Sequence, residues 1–305
     1  MTKDQGADFP ERRVAWLGES LPQPRISFEF FPPKNEQADA RFWQAVRRLA
    51  ELRPGYVSVT CGAGGNPAEG TAPLVRRLRQ EAGLETAAHL TCATAPKPVI
   101  DDIARRYWQD GVRQIVALRG DRPENGRGIR GDHHPYAADL VAALRRIGDF
   151  EISVAGYPET HPEAVSAEAD LDNLQRKVAA GACRVITQYC FDTDAILRFR
   201  DAMVARGIDV PMAVGIVPVH NFTQMRRFSD RCGAAVPAWL GALFEGLDDD
   251  PDQRALIGAS VAAEQARRLV VEGVDELHFY TLNRADLTVA ACRLLGLKPT
   301  LARAA

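Results

Sequence analysis

A regular alternation constrains the fold of this chain more than any other feature. Eight short β-rich runs recur about every 36 residues, with stretches of helical period between them. The runs are Arg25–Phe31, Tyr56–Thr60, Glu85–Thr91, Arg113–Leu118, Glu151–Gly156, Arg184–Gln188, Pro211–Val217 and Glu276–Thr281. Between the first two, Phe42, Ala45, Val46, Leu49 and Leu52 fall at the i, i+3, i+4, i+7 spacing of one buried helix face. Leu171, Leu174, Val178 and Ala182 follow a similar pattern behind a polar start at Asp170. A further helix, Asp252–Glu272, precedes the last run and carries Leu256, Ile257, Val261, Ala262, Ala266, Leu269 and Val270.

Strand followed by helix, repeated without a break in composition, predicts an α/β chain. The expectation is a single (β/α)8 TIM barrel over residues 25–305, with an extra helix before the last strand. Residues 1–24 are polar, contain Pro10, Pro22 and Pro24, and read as an N-terminal tail with one helical turn around Val14–Leu17. The competing doubly wound sheet usually carries G-x-G-x-x-G after a strand. Here Gly62-Ala63-Gly64-Gly65-Asn66-Pro67 puts proline where the third glycine belongs, and no G-x-x-x-x-G-K-[ST] occurs. The acidic run Asp248–Asp252 reads as a solvated turn and N-cap.

Charge and cysteine usage narrow the function classes. Lys plus Arg is 38 against 40 Asp plus Glu, a balance that argues against a nucleic-acid partner held by a basic face. No apolar stretch reaches the ~18 residues of a membrane span, and the N-terminus lacks an apolar signal core. The six cysteines are scattered without zinc-like spacing, as expected of thiols in a reducing cytoplasm. The histidines form no H-E-x-x-H pair, so no metal site is expected.

In such a barrel, chemistry gathers at the C-terminal ends of the strands. On the first strand Ile26, Phe28 and Phe30 share an outward face, which turns Ser27 and Glu29 into the barrel. An ionised carboxylate there is costly unless an interior Arg or Lys pairs with it; kept protonated, it can serve as a general acid. The fourth strand ends in Arg119-Gly120-Asp121, suited either to a ligand-binding turn or to a surface salt bridge. Other strand ends bring His89 and Thr91, Tyr157 and His161, Gln188, and the run His278 to Arg284. Asp170, Asn173 and Lys177 lie along one helix face, either solvated or turned to a ligand. There is no G-x-S-x-G elbow, while Glu29 and Asp121 keep a glycosidase-like carboxylate pair open.

Several ordered blocks then resemble the methylenetetrahydrofolate reductase family of the bacterial single-domain type. They are Ser27–Pro33, Val57–Thr60 with Gly62-Ala63, His89–Cys92, Ala117–Asp121, Tyr157-Pro158-Glu159 with His161-Pro162, Ile186–Gln188, and Phe279–Arg284. The resemblance runs from about Ile26 to Leu297. It implies a barrel flavoprotein of one-carbon and methionine metabolism. Such an enzyme uses FAD and NADH (or NADPH) to reduce 5,10-methylenetetrahydrofolate to 5-methyltetrahydrofolate by ping-pong hydride transfer. By the same resemblance Glu29 is the general acid, and Asp121 is the aspartate beside flavin and pterin. Gln188, Phe228 and Arg284 contact folate or nicotinamide. FAD contacts fall on Thr60, His89, Arg119, Gly120, Asp121, Tyr136, Ala137, Tyr157, His161, Asp170, Asn173, Arg176 and Lys177. The resemblance also implies a homo-oligomer. With a short stretch after the eighth strand, no regulatory domain is expected. Two segments depart from the family pattern: the loop Arg122–Pro135 with His133-His134, and Tyr189-Cys190-Phe191. Other readings are a barrel flavoenzyme indifferent to folate, a cofactor-free barrel lyase or hydrolase using Glu29 and Asp121, and a silent binding barrel.

Overall fold

The computed structural model describes residues 21–61, 67–93, 95–120 and 132–298. Eight parallel strands pair in sequence order: β1 (Arg25–Phe30), β2 (Tyr56–Val59), β3 (Thr86–Thr91), β4 (Gln114–Leu118), β5 (Glu151–Gly156), β6 (Arg184–Thr187), β7 (Met212–Ile216) and β8 (Glu276–Tyr280). The sheet closes through β8 onto β1. Every strand boundary lies within one residue of the sequence expectation. The helices are α1 (Glu36–Ala50), α2 (Pro67–Glu81), α3 (Lys97–Gln109), α4 (Ala137–Ile147), α5 (Ala167–Ala179), α6 (Thr193–Ala205), α7 (Phe222–Cys232), α8 (Ala238–Phe244), α9 (Pro251–Val271) and α10 (Asp286–Leu294).

The expected Asp252–Glu272 helix is α9, packed between α6 and α10 as part of the outer ring. The additional elements are the shorter α7 and α8 before it. Met225, Leu240 and Phe244 from these helices bury against Tyr189, Phe191, Val217 and Val219, making a second apolar cluster over the barrel mouth. Several helices start where side chains satisfy otherwise unpaired backbone N–H groups: Asn35, Ser166, Asp192, Asn221 and Asp250 each accept such a bond. The acidic run at 248–252 therefore includes the α9 cap. The described residues contain no helix long and apolar enough to cross a membrane.

Alternation along the strands separates two cores. Ile26, Phe28 and Phe30 face the helices, while Tyr56, Ala87, Val116, Ile186 and Ala213 fill the barrel. At the N-terminal end the buried Glu276 carboxylate pairs with Arg25 and, at 3.1 Å, with Arg184. The Arg184 guanidinium also lies 5.1 Å from the Tyr56 ring centroid. Two residues further along both β1 and β8, His278 Nδ1 and Ser27 Oγ are 2.7 Å apart.

Candidate active site

Glu29 sits on β1 opposite Ser58 on one side and Tyr280 on the other. Its Oε2 is 3.4 Å from His89 Nε2 and 3.7 Å from His278 Nε2. Among the described residues its ionisable partners within 4.0 Å are thus two imidazoles, rather than the interior Arg or Lys a structural pair would use. Burial pushes the His89 imidazole below its ordinary value; the Glu29 charge opposes this and His278 adds to it. Neither Nε2 has a hydrogen-bond partner among the described residues.

Tyr280 closes the next side. Its hydroxyl donates to the Thr187 carbonyl at 2.8 Å, and burial raises the phenol well above its ordinary range, so it stays neutral. The ring lies where a side chain on β7 would stand: a Cβ on Gly215 would meet Tyr280 Cε2 at 2.6 Å and the Thr187 carbonyl oxygen at 2.3 Å.

Beside this pair, a cleft of about 410 Å³ opens between the ends of β4 and β5 and the helices α4 and α5. Arg119 and Gly120 come from β4's exit, Tyr136 and Ala137 from the start of α4, and Tyr157 and His161 from β5's exit. Asp170, Asn173, Arg176 and Lys177 form the α5 wall, so the polar helix face points into a cavity. Gly120 has φ +81°, and a Cβ there would come within 3.0 Å of Thr91 Cβ. Asp170 Oδ2 accepts from the His161 backbone N–H at 2.8 Å, and Glu163 pairs with Arg119 at 2.7 Å.

Lys177 is the charge that stands out in this cleft. It is only 7% exposed, its Nζ donates to the Ala155 carbonyl at 2.6 Å, and burial lowers its pKa to about 8 against the pull of Asp170. No carboxylate lies within salt-bridge distance of it among the described residues. An ammonium buried with only the more distant Asp170 charge to offset it among the described residues is costly, and an anion placed in the cleft would offset that cost.

The remaining sequence candidates fall elsewhere. Thr60 follows β2, its N–H bonded to the Phe30 carbonyl, and His89 lies beneath Glu29; neither lines the cleft. Gln188 turns its Oε1 back to the Tyr189 N–H at 3.0 Å. Phe228 on α7 is 40% exposed and stacks on Tyr189 with centroids 6.0 Å apart. Arg284 is exposed on the loop after β8, close enough to His220 to help burial lower that imidazole to about 4. Asp121 lies outside the described residues, as do the segments 1–20, 62–66 and 122–131. At the described end of the 122–135 loop, His134 is buried with its Nε2 2.9 Å from Asp101 Oδ1.

Sequence reasoning assigned no role to His278, Tyr280 or Glu163. The first two were accessible from alternation, since they share β8's inward face as Ser27 and Glu29 share β1's. Glu163 carried no local signal; its pairing with Arg119 spans 44 positions.

The comparisons with known proteins agree with this arrangement of strands. The family model described as methylenetetrahydrofolate reductase matches residues 19–296. The chain belongs to the methylenetetrahydrofolate reductase family. A 5,10-methylenetetrahydrofolate reductase of Pectobacterium carotovorum is 49% identical over 278 residues, covering 91% of this chain and 92% of that protein. The Escherichia coli 5,10-methylenetetrahydrofolate reductase is 48% identical over 285 residues, covering 93% and 95%. Among solved structures, an uncharacterized Clostridium thermocellum protein that binds two copies of 5-methyl-5,6,7,8-tetrahydrofolic acid superposes with a TM-score of 0.60. It covers 90% of this chain and 94% of its own at 14% identity, a likeness of fold.

Proposed function

We propose that this methylenetetrahydrofolate reductase family member reduces 5,10-methylenetetrahydrofolate to 5-methyltetrahydrofolate. FAD would occupy the cleft between β4 and α5, and NADH or NADPH would supply the reducing equivalents in a separate half-reaction. Family membership supports the folate chemistry. One combination carries the assignment of the site: a carboxyl beside two imidazoles, together with a cleft whose wall holds a buried ammonium with no carboxylate within salt-bridge distance among the described residues.

The cleft's donors suit an anionic dinucleotide. Arg119, Arg176 and Lys177 would meet the diphosphate, and Gly120 would let the backbone approach closely. Asp170 and Asn173 would hydrogen-bond hydroxyl groups, while Tyr136, Ala137, Tyr157 and His161 complete the walls. Thr60 and His89 would reach the cofactor from the adjoining strands β2 and β3. Bound there, FAD supplies a two-electron carrier that can be reduced by one substrate and oxidised by another.

The chain's own groups do the acid chemistry and the positioning. Glu29 would hold a proton on its carboxyl and deliver it to the folate nitrogen that departs as the five-membered ring opens, leaving an exocyclic iminium to accept hydride. Asp121 would place a negative charge near that cation. The Gln188 amide would hydrogen-bond the pterin or the nicotinamide amide, Phe228 would stack on either ring, and Arg284 would meet the folate tail or the nicotinamide nucleotide. Serving two guests in turn with one set of groups entails ping-pong kinetics.

The test is an anaerobic titration of purified protein with NADH, followed in the visible flavin band. The expected result is a yellow protein that bleaches and recovers its colour when methylenetetrahydrofolate is added. A protein that stays colourless after FAD is supplied would overturn the reading.

A further inference from the structure

The loop that leaves β8 is tied to the end of β1 in an unusual way. The backbone register between the two strands runs up to Glu29 opposite Tyr280. Beyond it, side chains continue the pairing. Thr281 Oγ1 donates to the Glu29 carbonyl at 2.7 Å. The Asn283 carboxamide then grips Phe31 with both ends, its Oδ1 accepting from the Phe31 N–H at 3.1 Å and its Nδ2 donating to the Phe31 carbonyl at 2.8 Å. The Asn283 N–H donates to Thr281 Oγ1 at 3.2 Å, joining the two contacts.

This grip requires a costly backbone. Leu282 and Asn283 are consecutive non-glycine residues with φ of 51° and 57°. Left-handed conformations are unfavourable for L-residues, least so for Asn after Gly. Such strain persists only where surrounding contacts hold it. Here those contacts fall on Glu29 itself and on the residue two positions later.

We propose that Asn283, with Thr281, is a positioning residue for Glu29: the clamp fixes the end of β1 so that the Glu29 carboxyl stays against His89 and His278. The inference rests on the reading of Glu29 as the proton donor. Among the described residues the ionisable groups around that carboxyl are His89 from β3, His278 and Tyr280 from β8, and Tyr56 from β2. None of them is bonded to Asn283, so its influence runs through the β1 backbone.

Two variants separate the clamp from the strain. Asn283→Gly keeps the left-handed backbone accessible and removes the carboxamide; Asn283→Ala removes both. In single-turnover measurements on the FAD-loaded protein, both should slow reoxidation by methylenetetrahydrofolate by about a hundredfold. Both should leave reduction by NADH within about twofold, and both should shift the pH profile of the folate step. Combined with Glu29→Gln, either should add almost nothing, since both changes act through one group. In the apoprotein, NMR titration of His89 should show its midpoint falling further in Asn283→Gly, because the Glu29 carboxylate that opposes the fall has moved away. The clamp is overturned alone if Glu29→Gln is inactive in the folate step while Asn283→Gly keeps the wild-type rate, pH profile and His89 midpoint. It is overturned as well if the losses add in the double variant. A Glu29→Gln protein that retains the folate step would overturn the proton-donor reading and the clamp together.

Discussion

The two ends of the barrel each hold a glutamate on an inward strand face, in opposite electrostatic conditions. At the N-terminal end the Glu276 carboxylate is enclosed by two guanidinium groups, and Arg184 rests on an aromatic face as well. At the C-terminal end Glu29 has two imidazoles at 3.4 and 3.7 Å, one of them depressed by burial, and Lys177 has a carbonyl oxygen in place of a carboxylate. One end pairs its buried carboxylate with guanidinium groups, whereas at the other neither Glu29 nor Lys177 has an Arg, Lys or carboxylate partner within salt-bridge distance among the described residues. Buried charge by itself therefore does not mark a site; buried charge without its complement does.

Three changes should break or sharpen this contrast. The largest effect is expected from Glu29→Gln. It removes the transferable proton while keeping the shape, and should cut the folate step by about a thousandfold. Reduction by NADH and the melting temperature should stay near wild type, as read by stopped-flow absorbance and calorimetry. Next comes Glu276→Ala at the opposite end. It leaves the partly buried Arg184 unpaired and should cost about 3 kcal/mol in urea denaturation, with the activity per folded molecule unchanged.

The smallest effect concerns Lys177. Its pKa is about 8 in the folded chain and near 10.5 ordinarily, so between those values the unfolded chain binds more protons. The stability of the apoprotein should therefore rise with pH across this window, by roughly 3 kcal/mol at most. Lys177→Met should flatten the rise and weaken FAD retention. An equally steep rise in the variant would assign it to another group.

Much of the fold was legible because periodicity is local. Each strand could be placed from its own few residues, and Asp250 announced its helix from the acidic run around it. The extra elements were harder, since α7 and α8 are short and their apolar residues make sense only against Tyr189 and Phe191 from β6's exit. The inward direction of Glu29 followed from alternation, but its neighbours did not, because His89 and His278 lie on strands remote in sequence. The α5 face shows the same limit. Asp170, Asn173 and Lys177 were visibly aligned, yet only the wall opposite them, with Arg119, Tyr136 and Tyr157, distinguishes a cleft from a solvated surface.

The seam between β1 and β8 has a further consequence, for the order of synthesis. Ser27 and His278, which touch across it, are 251 positions apart. A ribosome releases β1 early, so that strand waits with an unpaired edge until nearly all the barrel sequence has emerged. The pocket around Glu29 is thus among the last parts of the molecule to exist. No nascent fragment lacking β8 can assemble it, and catalysis on the folate becomes a report that the ring has closed.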